Sequence, residues 1–160
     1  MAQTRWLNGD EQCTWRAFLG ASQLLFDQLD RDLQRGAGMP HGYYEILVNL
    51  SEAPDRTMRM SELAERSLSS RSRLTHAVDR LEQLGWIERL QCPEDRRGAF
   101  ARLTDRGFSV LEKAAPGHVE SVRRNLFDQL TDQQVCQLRE ISEAVLRRLT
   151  PGRSPMKDPY

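Results

Sequence analysis

The chain has 160 residues, the length of one domain with helical extensions, and its 23 basic residues balance 23 acidic ones, which excludes an indiscriminate polycation. Its three cysteines include no Cys-x-x-Cys pair, so neither a disulfide framework nor a zinc knuckle is indicated. No apolar run approaches the ~18 residues of a membrane span and no signal core is present, so we expect a cytoplasmic protein without membrane contact.

Hydrophobic periodicity and turn residues divide the chain into five predicted segments. Each segment carries one structural role in the predicted architecture. They are a flexible N-terminus (1–12), N-terminal helices for the core and for dimerisation (13–55), a winged helix-turn-helix (56–104), C-terminal dimerisation helices (105–150) and a disordered tail (151–160).

The first two predicted helices differ in how their apolar residues are arranged. From Cys13 to about Arg35, apolar residues recur at helical spacing and form a broad stripe. Gly36, Gly38 and Pro40 end this helix and start the next one. The second helix is apolar almost all round, so we expect it to lie at the centre of the core.

The middle of the chain predicts a helix-turn-helix followed by a β-hairpin. A short extended stretch precedes a helix over about 61–67, and a second helix covers about 71–84 with Ser70 as a suitable N-cap. Two short strands, 86–90 and 99–103, flank a turn rich in proline, aspartate and glycine. This order is typical of a winged helix.

The C-terminal part predicts two more helices. Thr104 or Asp105 begins a long helix whose apolar side reaches Leu130, and residues 131–134 match a capping box for a last helix. The apolar stripes of the terminal helices exceed what a small winged helix can cover, so we expect them to bury each other across a two-fold axis. The predicted fold is mainly α with a small β-hairpin wing, in a homodimer formed by the N- and C-terminal helices.

Charge is distributed unevenly along the chain. Residues 66–106 hold nine arginines against six acidic groups, whereas residues 1–65 hold six arginines against ten acidic groups. A helix that fits the major groove beside a cationic hairpin that fits the minor groove indicates double-stranded DNA as the partner. Of the 23 basic residues, 21 are arginine, which suits bidentate contacts but is equally explained by the coding composition of the source genome.

Three motifs stand in order: Ser-Glu-Leu-Ala at 61–64, Val-Asp-Arg-Leu-Glu at 78–82, and Asp-x-Arg at 95–97 followed by Leu-Thr at 103–104. With the helices on either side, over about residues 13–149, the chain resembles the MarR (multiple-antibiotic-resistance regulator) family of bacterial transcription factors. The resemblance implies a dimeric winged helix-turn-helix repressor, less often an activator, that binds a palindromic operator. In that family, small anionic or phenolic compounds, or oxidants, commonly lower the affinity for DNA.

Candidate DNA contacts lie on the second helix of the helix-turn-helix, on the strands and at the hairpin tip. By resemblance, Arg97 enters the minor groove and Asp95 fixes the hairpin; a solvated turn is the alternative. Arg80 has a second interpretation, a salt bridge with Glu82, with Asp79 or with the partner helix. The predicted DNA-binding residues are Ser70, Arg71, Ser72, Arg73, Thr75, His76, Arg80, Arg89, Arg96 and Arg97, with Asp95 and Gly98 as structural residues of the wing.

A candidate effector site lies in the predicted crevice between the dimer helices and the winged domain. Aromatic walls beside one cation suit a small phenolic or carboxylate ligand. The alternative is that these aromatic residues only fill the core. The candidate lining residues are Trp15, Phe18, Tyr43, Tyr44 and Arg71.

Two cysteines are candidates for a redox-sensing regulator of the same fold. Oxidant-sensing members of the MarR family carry a reactive cysteine early in the first helix, near tyrosines. Cys13 occupies that place by resemblance, although the negative charges of Asp10 and Glu11 oppose formation of a thiolate. Cys92 lies in the hairpin, where oxidation would disturb a DNA contact. Cys136 is expected to face a packed helix and to be inert.

No catalytic, cofactor or metal site is indicated. We expect His41, His76 and His118 to be isolated from one another, and no spacing joins them to acidic ligands. Nucleophile elbows, phosphate-binding glycine loops and paired-carboxylate pockets are missing from the sequence, so we do not expect an enzyme. A winged helix that binds only proteins is the remaining rival, against which the arginine excess argues.

Replacement of Arg97 by alanine tests the predicted wing contact. Loss of one phosphate contact is expected to weaken DNA binding and to reduce the slope of log affinity against log salt by about 0.9. Fluorescence anisotropy over a salt series measures both quantities. Unchanged affinity and slope would remove the wing from the mechanism.

Overall fold

The computed structural model describes residues 3–67, 70–91 and 98–150. Six α-helices and three strands lie within these ranges, with short 3-10 turns at Pro54–Arg56 and Phe127–Gln129. In chain order they are α1 (Gly9–Ala37), α2 (His41–Ser51), β1 (Thr57–Arg59), α3 (Met60–Arg66), α4 (Arg71–Gln83), β2 (Ile87–Gln91), β3 (Ala99–Leu103), α5 (Asp105–Asn125) and α6 (Asp132–Leu149).

The strands form one antiparallel sheet in the order β1-β3-β2. Ala101 at the middle of β3 faces Met58 of β1 on one side and Arg89 of β2 on the other. The short extended stretch predicted before the third helix is therefore the third strand of the sheet. The predicted fold, mainly helical with a small β-wing in a winged helix-turn-helix, is confirmed.

Helix α2 lies at the centre of the core, as its all-round apolar sequence predicts. Leu47 and Leu50 are fully buried, and they pack in one cluster with Leu63 of α3, Val78 of α4 and Ile87 of β2. Each fully buried leucine or isoleucine contributes roughly 1.5–3 kcal/mol through removal of apolar surface from water. This cluster holds α4 and the sheet in one fixed arrangement.

Helix α1 begins earlier than predicted. Residues 1–12 were expected to be flexible, but α1 starts at Gly9 with Asn8 as its N-cap. The Asn8 side chain accepts a hydrogen bond from the Glu11 amide at 2.8 Å, and the Glu11 carboxylate accepts one from the Asn8 amide at 2.8 Å. This reciprocal pair satisfies two amides that a helix start leaves open, which explains the early start.

Helix α5 ends earlier than predicted, because Leu126 leaves the helical conformation and Leu130 lies after a 3-10 turn. Side-chain amides bind the last carbonyl groups of the helix. Asn125 Nδ2 donates to the Ser121 carbonyl at 2.8 Å, and Gln129 Nε2 donates to the Arg124 carbonyl at 3.0 Å. The bond from Gln129 replaces the helical partner that the Arg124 carbonyl lacks at the end of the helix. The capping box predicted for α6 is confirmed at Thr131 and Gln134.

Large apolar side chains remain exposed on the terminal helices. In the first half of α1, Trp15 is 50% exposed and Phe18 58% exposed, and α6 has no buried residue. The exposed apolar side chains of α6 are Ile141, Val145, Leu146 and Leu149. Among the described residues, no helix combines the length and apolar character that a membrane crossing demands.

Alanine at Gly107 is expected to destabilise the fold. A Cβ there would lie 2.1 Å from the Trp86 carbonyl oxygen, where α5 begins against the end of the wing. Because the backbone at Trp86 cannot shift without disturbing the packing around it, we expect the free energy of unfolding to fall by about 1–3 kcal/mol or more. Denaturant unfolding measures this change.

Gly117→Ala on the same helix is the matched control, because a Cβ at Gly117 meets nothing within 4 Å. There the better helix propensity of alanine is expected to stabilise by up to about 1 kcal/mol. Equal effects of the two substitutions would contradict the close contact.

Candidate functional site

The predicted DNA-binding side chains of α4 lie on its exposed face. The Ser70 hydroxyl accepts a hydrogen bond from the Arg73 amide at 3.3 Å and caps the helix. Leu74, Val78 and Leu81 are buried on the opposite face, so they fix which side of α4 points outward. Ser72, Arg73, Thr75, His76 and Arg80 are all exposed. The structure describes the backbone of Arg71 but not its side chain.

The exposed face has a middle and two sides, because successive residues turn by about 100° around a helix. Ser72 and His76 lie along its middle. Arg73 lies on the side of α2, where it lines a groove, and Asp79 lies on the side of β2, where it contacts Arg89. Arg80 Nη1 donates to Gln83 Oε1 at 3.0 Å, and Asp79 and Glu82 pair with Arg89 instead of Arg80.

Arg89 lies on β2 and contacts α4. Its guanidinium pairs with Asp79 Oδ1 at 2.5 Å and Glu82 Oε2 at 3.5 Å, and Nη2 donates to the Thr75 carbonyl at 3.2 Å. The Arg89 backbone amide also donates to Glu82 Oε1 at 3.2 Å. The predicted DNA-binding residue Arg89 is therefore held among partners within the protein.

At the base of the wing, a cross-strand ion pair joins its two strands. Arg102 Nε donates to Glu88 Oε1 at 2.6 Å, and this hydrogen bond lowers the pKa of the Glu88 carboxyl. Gly98, predicted as a structural residue of the wing, directly precedes β3 and is partly buried. The predicted wing residues Cys92, Asp95, Arg96 and Arg97 lie outside the described residues.

Two arginines near β1 were not singled out from the sequence. The Arg56 guanidinium stacks 3.8 Å from the centre of the Phe108 ring and pairs with Asp105 at 3.1 Å, which joins the turn before β1 to the start of α5. Arg59 lies over the Phe100 ring at 5.3 Å. Both contacts depend on residues distant in the chain, so periodicity carries no signal for them.

The predicted effector residues do not form one pocket. Trp15 and Phe18 stack on each other at 6.3 Å in the exposed half of α1. Leu29 is the first buried residue of α1 and lies about 21 Å beyond Trp15 along the helix axis, at 1.5 Å per residue. Tyr44 is instead buried on α2, with its ring centre 4.3 Å from that of His118.

A groove of about 240 Å³ separates α2 from the beginning of α4. The partly buried Tyr43 and the exposed Arg73 line it from the two helices. Ser67 also lines it, and its buried hydroxyl has no hydrogen-bond partner among the described residues. The groove therefore offers a cation, an aromatic side chain and an unsatisfied hydroxyl, of which only Tyr43 was among the candidates for a ligand site.

His41 and His118 are not isolated from each other, which corrects the expectation from the sequence. Their ring centres lie 5.4 Å apart where α2 meets α5. Burial, with a smaller effect from His41, lowers the pKa of His118, and Nδ1 of His118 has no partner among the described residues. Within those residues, no group of three or more His, Cys, Asp or Glu side chains is arranged to hold a metal ion.

A polar network ties α1 to α5. The Ser121 hydroxyl donates to Asp32 Oδ2 at 2.6 Å, and Arg124 Nη2 donates to the same oxygen at 3.1 Å. These bonds, the one from Ser121 first, lower the pKa of Asp32. The network holds the C-terminal half of α1 against α5.

The two described cysteines are both exposed. Cys13 lies in the first turns of α1, which leaves it accessible as a redox candidate. Cys136 lies on α6 and was expected to face a packed helix, which is wrong: it is exposed, since the apolar residues of α6 occupy the other side.

Known proteins resemble this chain in sequence as well as in fold. The model of the MarR family matches residues 40–98, from the start of α2 to the wing. Sco3205, a MarR family transcriptional regulator from Streptomyces coelicolor solved in complex with DNA, is 53% identical, with 94% of both chains covered and a TM-score of 0.90. AbsC, a regulator of that family from the same organism, is 44% identical, with 91% of this chain and 98% of AbsC covered and a TM-score of 0.85.

Curated relatives match over a shorter part. The repressor YetL of Bacillus subtilis is 32% identical over 111 residues, which are 68% of this chain and 66% of YetL. The regulator PecS of Dickeya dadantii is 31% identical over 93 residues, 58% of this chain and 55% of PecS. The chain thus spans between half and two thirds of these two relatives. The helix-turn-helix, the wing, the helices around them and the near full-length match to Sco3205 together show that the chain belongs to the MarR family.

Proposed function

We propose that this protein is a transcriptional repressor that binds a palindromic operator in double-stranded DNA as a homodimer. The observation that carries the proposal is the outward face of α4. Buried Leu74, Val78 and Leu81 anchor the helix from behind, and the exposed face presents Ser72 and His76 to a partner. A helix that presents short polar side chains in this way suits the major groove.

Charge supports DNA as the partner of this surface. The excess of arginine falls on residues 66–106, where phosphates would lie beside α4 and the wing. Sco3205, which shares 53% identity, was solved in complex with DNA. Relatives such as YetL are named as transcriptional repressors, and members of the family are transcription regulators rather than enzymes.

The apolar residues exposed on α1 and α6 support the homodimer. Trp15 and Phe18 on α1, with Ile141, Val145 and Leu149 on α6, form stripes that the described residues of one chain leave exposed to water. Contiguous apolar surface of this kind marks a protein interface in most soluble proteins. Burial against a second copy across a two-fold axis would present two α4 helices, about one DNA turn (~34 Å) apart.

A charge placed in the α6 stripe separates this function from a monomeric one. Ile141→Glu is expected to produce monomers in sedimentation experiments and to weaken binding to the upstream DNA of its own gene at least tenfold, since one half-site is lost. Cys136→Glu adds the same charge to α6 on the side opposite the apolar stripe and is the matched control. An Ile141→Glu protein that stays monomeric yet binds as tightly as wild type would contradict the proposal.

We also propose that a small phenolic or carboxylate ligand tunes the affinity for DNA from the groove between α2 and α4. Arg73 can pair with a carboxylate, Tyr43 provides an aromatic wall, and the unsatisfied Ser67 hydroxyl can bind a polar substituent. Since Arg73 belongs to the recognition helix, an occupied groove acts directly on that helix. This groove replaces Trp15, Phe18 and Tyr44 as the proposed lining.

Salicylate, a phenolic carboxylate, serves as the probe for this groove in calorimetry without DNA. Arg73→Gln is expected to weaken its binding about tenfold or more, the loss of a charge-assisted hydrogen bond. Arg66→Gln is the control, because Arg66 is paired with Glu62 and does not line the groove. Equal binding by wild type and Arg73→Gln, or no binding of salicylate to either, would overturn the proposed ligand site.

The redox alternative rests on one described residue. Cys13 is exposed near the start of α1. Peroxide treatment that lowers the operator affinity of wild type but not of Cys13→Ser would favour a redox-sensing regulator over a ligand-responsive one.

A further inference from the structure

We propose that Asp79, Arg89 and Glu82 form a positioning clamp that fixes the wing relative to the recognition helix α4, and that Arg89 does not itself contact DNA. The clamp deepens the proposed DNA-binding function and rests on it. Asp79 and Glu82 lie close to the DNA-binding face, where their negative charge repels phosphate. In the clamp they support DNA binding indirectly, because they hold Arg89 and the wing in place.

The sheet order shows why β2 needs such a tether. The order β1-β3-β2 places β2 at an edge, so its outer backbone groups have no neighbouring strand among the described residues. The Arg89 amide on that edge donates instead to Glu82 Oε1 at 3.2 Å. A side chain of α4 thus takes the place of a fourth strand.

The Arg89 side chain joins the same two elements a second time. It lies on the same face of β2 as Ile87, which is 1% exposed, because alternate residues of a strand share a face. From there its guanidinium contacts Asp79, Glu82 and the Thr75 carbonyl, a span of almost two turns of α4. A planar, multiply bonded guanidinium resists rotation of α4 against β2.

Charge argues against a phosphate contact by Arg89. One positive guanidinium faces two carboxylates, so the cluster carries a formal charge of −1. A DNA phosphate would have to displace Asp79 and would then face that free carboxylate. The Arg89 side chain is also only 29% exposed.

The clamp is placed to control the wing. Arg89 lies two residues before Gln91, the last described residue ahead of the hairpin tip. On the other face of the sheet, Glu88 and Arg102 are directly paired across β2 and β3, so the two strands move together. The clamp then links this two-strand unit to α4, and the spacing between helix and wing is set by three side chains.

Asp79→Asn separates positioning from simple electrostatics, because it removes a negative charge while keeping the side-chain shape. The clamp predicts operator affinity about tenfold lower, with unchanged or higher affinity for unrelated duplex DNA, since fewer negative charges oppose phosphate. Glu112→Gln is the control, because it removes the same charge from an exposed side chain of α5 and leaves both the clamp and the Glu88–Arg102 pair intact. We expect it to keep the operator affinity.

Arg89→Gln supplies a second readout. If Arg89 only positions the wing, operator affinity falls while the salt slope on unrelated DNA stays the same. A slope smaller by about 0.9, with equal losses on operator and unrelated DNA, would identify Arg89 as a phosphate contact and overturn the clamp. Operator affinity that is unchanged or increased in Asp79→Asn would overturn it as well.

Hydrogen exchange of the full-length protein without DNA keeps the clamp testable apart from the proposed function. The Arg89 amide is expected to exchange at least tenfold faster in Asp79→Asn and in Glu82→Gln than in wild type or Glu112→Gln, at equal global stability. Equal exchange in all four proteins would overturn the clamp. Faster exchange in the two variants, combined with no DNA binding by wild type, would overturn the proposed function and the role of the clamp in DNA binding. It would still confirm that the three side chains hold β2 against α4.

Discussion

The exposed apolar stripes of α1 and α6 are the constraint on which the rest of this molecule depends. Trp15 and Phe18 on one helix, and Ile141, Val145 and Leu149 on the other, are left exposed by the described residues of the chain. At roughly 25 cal/mol per Å² of apolar surface, leaving them in water is costly. In the proposed homodimer, that cost becomes the force that pairs two DNA-binding units.

The core transmits this arrangement to the DNA-binding face. Leu47 and Leu50 of α2 pack in one cluster with Val78 of α4, while Asp32 and Ser121 join α1 to α5. Because interiors are close-packed, a displacement at one helix is passed to its neighbours. The groove between α2 and α4 lies on this path, so a ligand there would act on the spacing of the recognition helices.

The sequence predicted the elements that follow from local patterns, and it failed where contacts between distant residues decide. Ser70 was correctly predicted as the cap of α4, whereas the cap at Asn8 was missed because the first helix was placed by apolar spacing alone. The contact between His41 and His118 joins residues far apart in the chain, which no spacing rule reveals. The partners of Arg89 on α4 were likewise not visible in the sequence, and its predicted DNA contact stays a prediction.

Hydroxyl-radical footprinting on the upstream DNA of the protein's own gene examines the paired presentation of α4 in one measurement. Two protected segments, centred about 10 base pairs apart on one face of the duplex and symmetric about their midpoint, are the predicted result. A single protected half-site at saturating protein, or protection without two-fold symmetry, would contradict the homodimeric repressor.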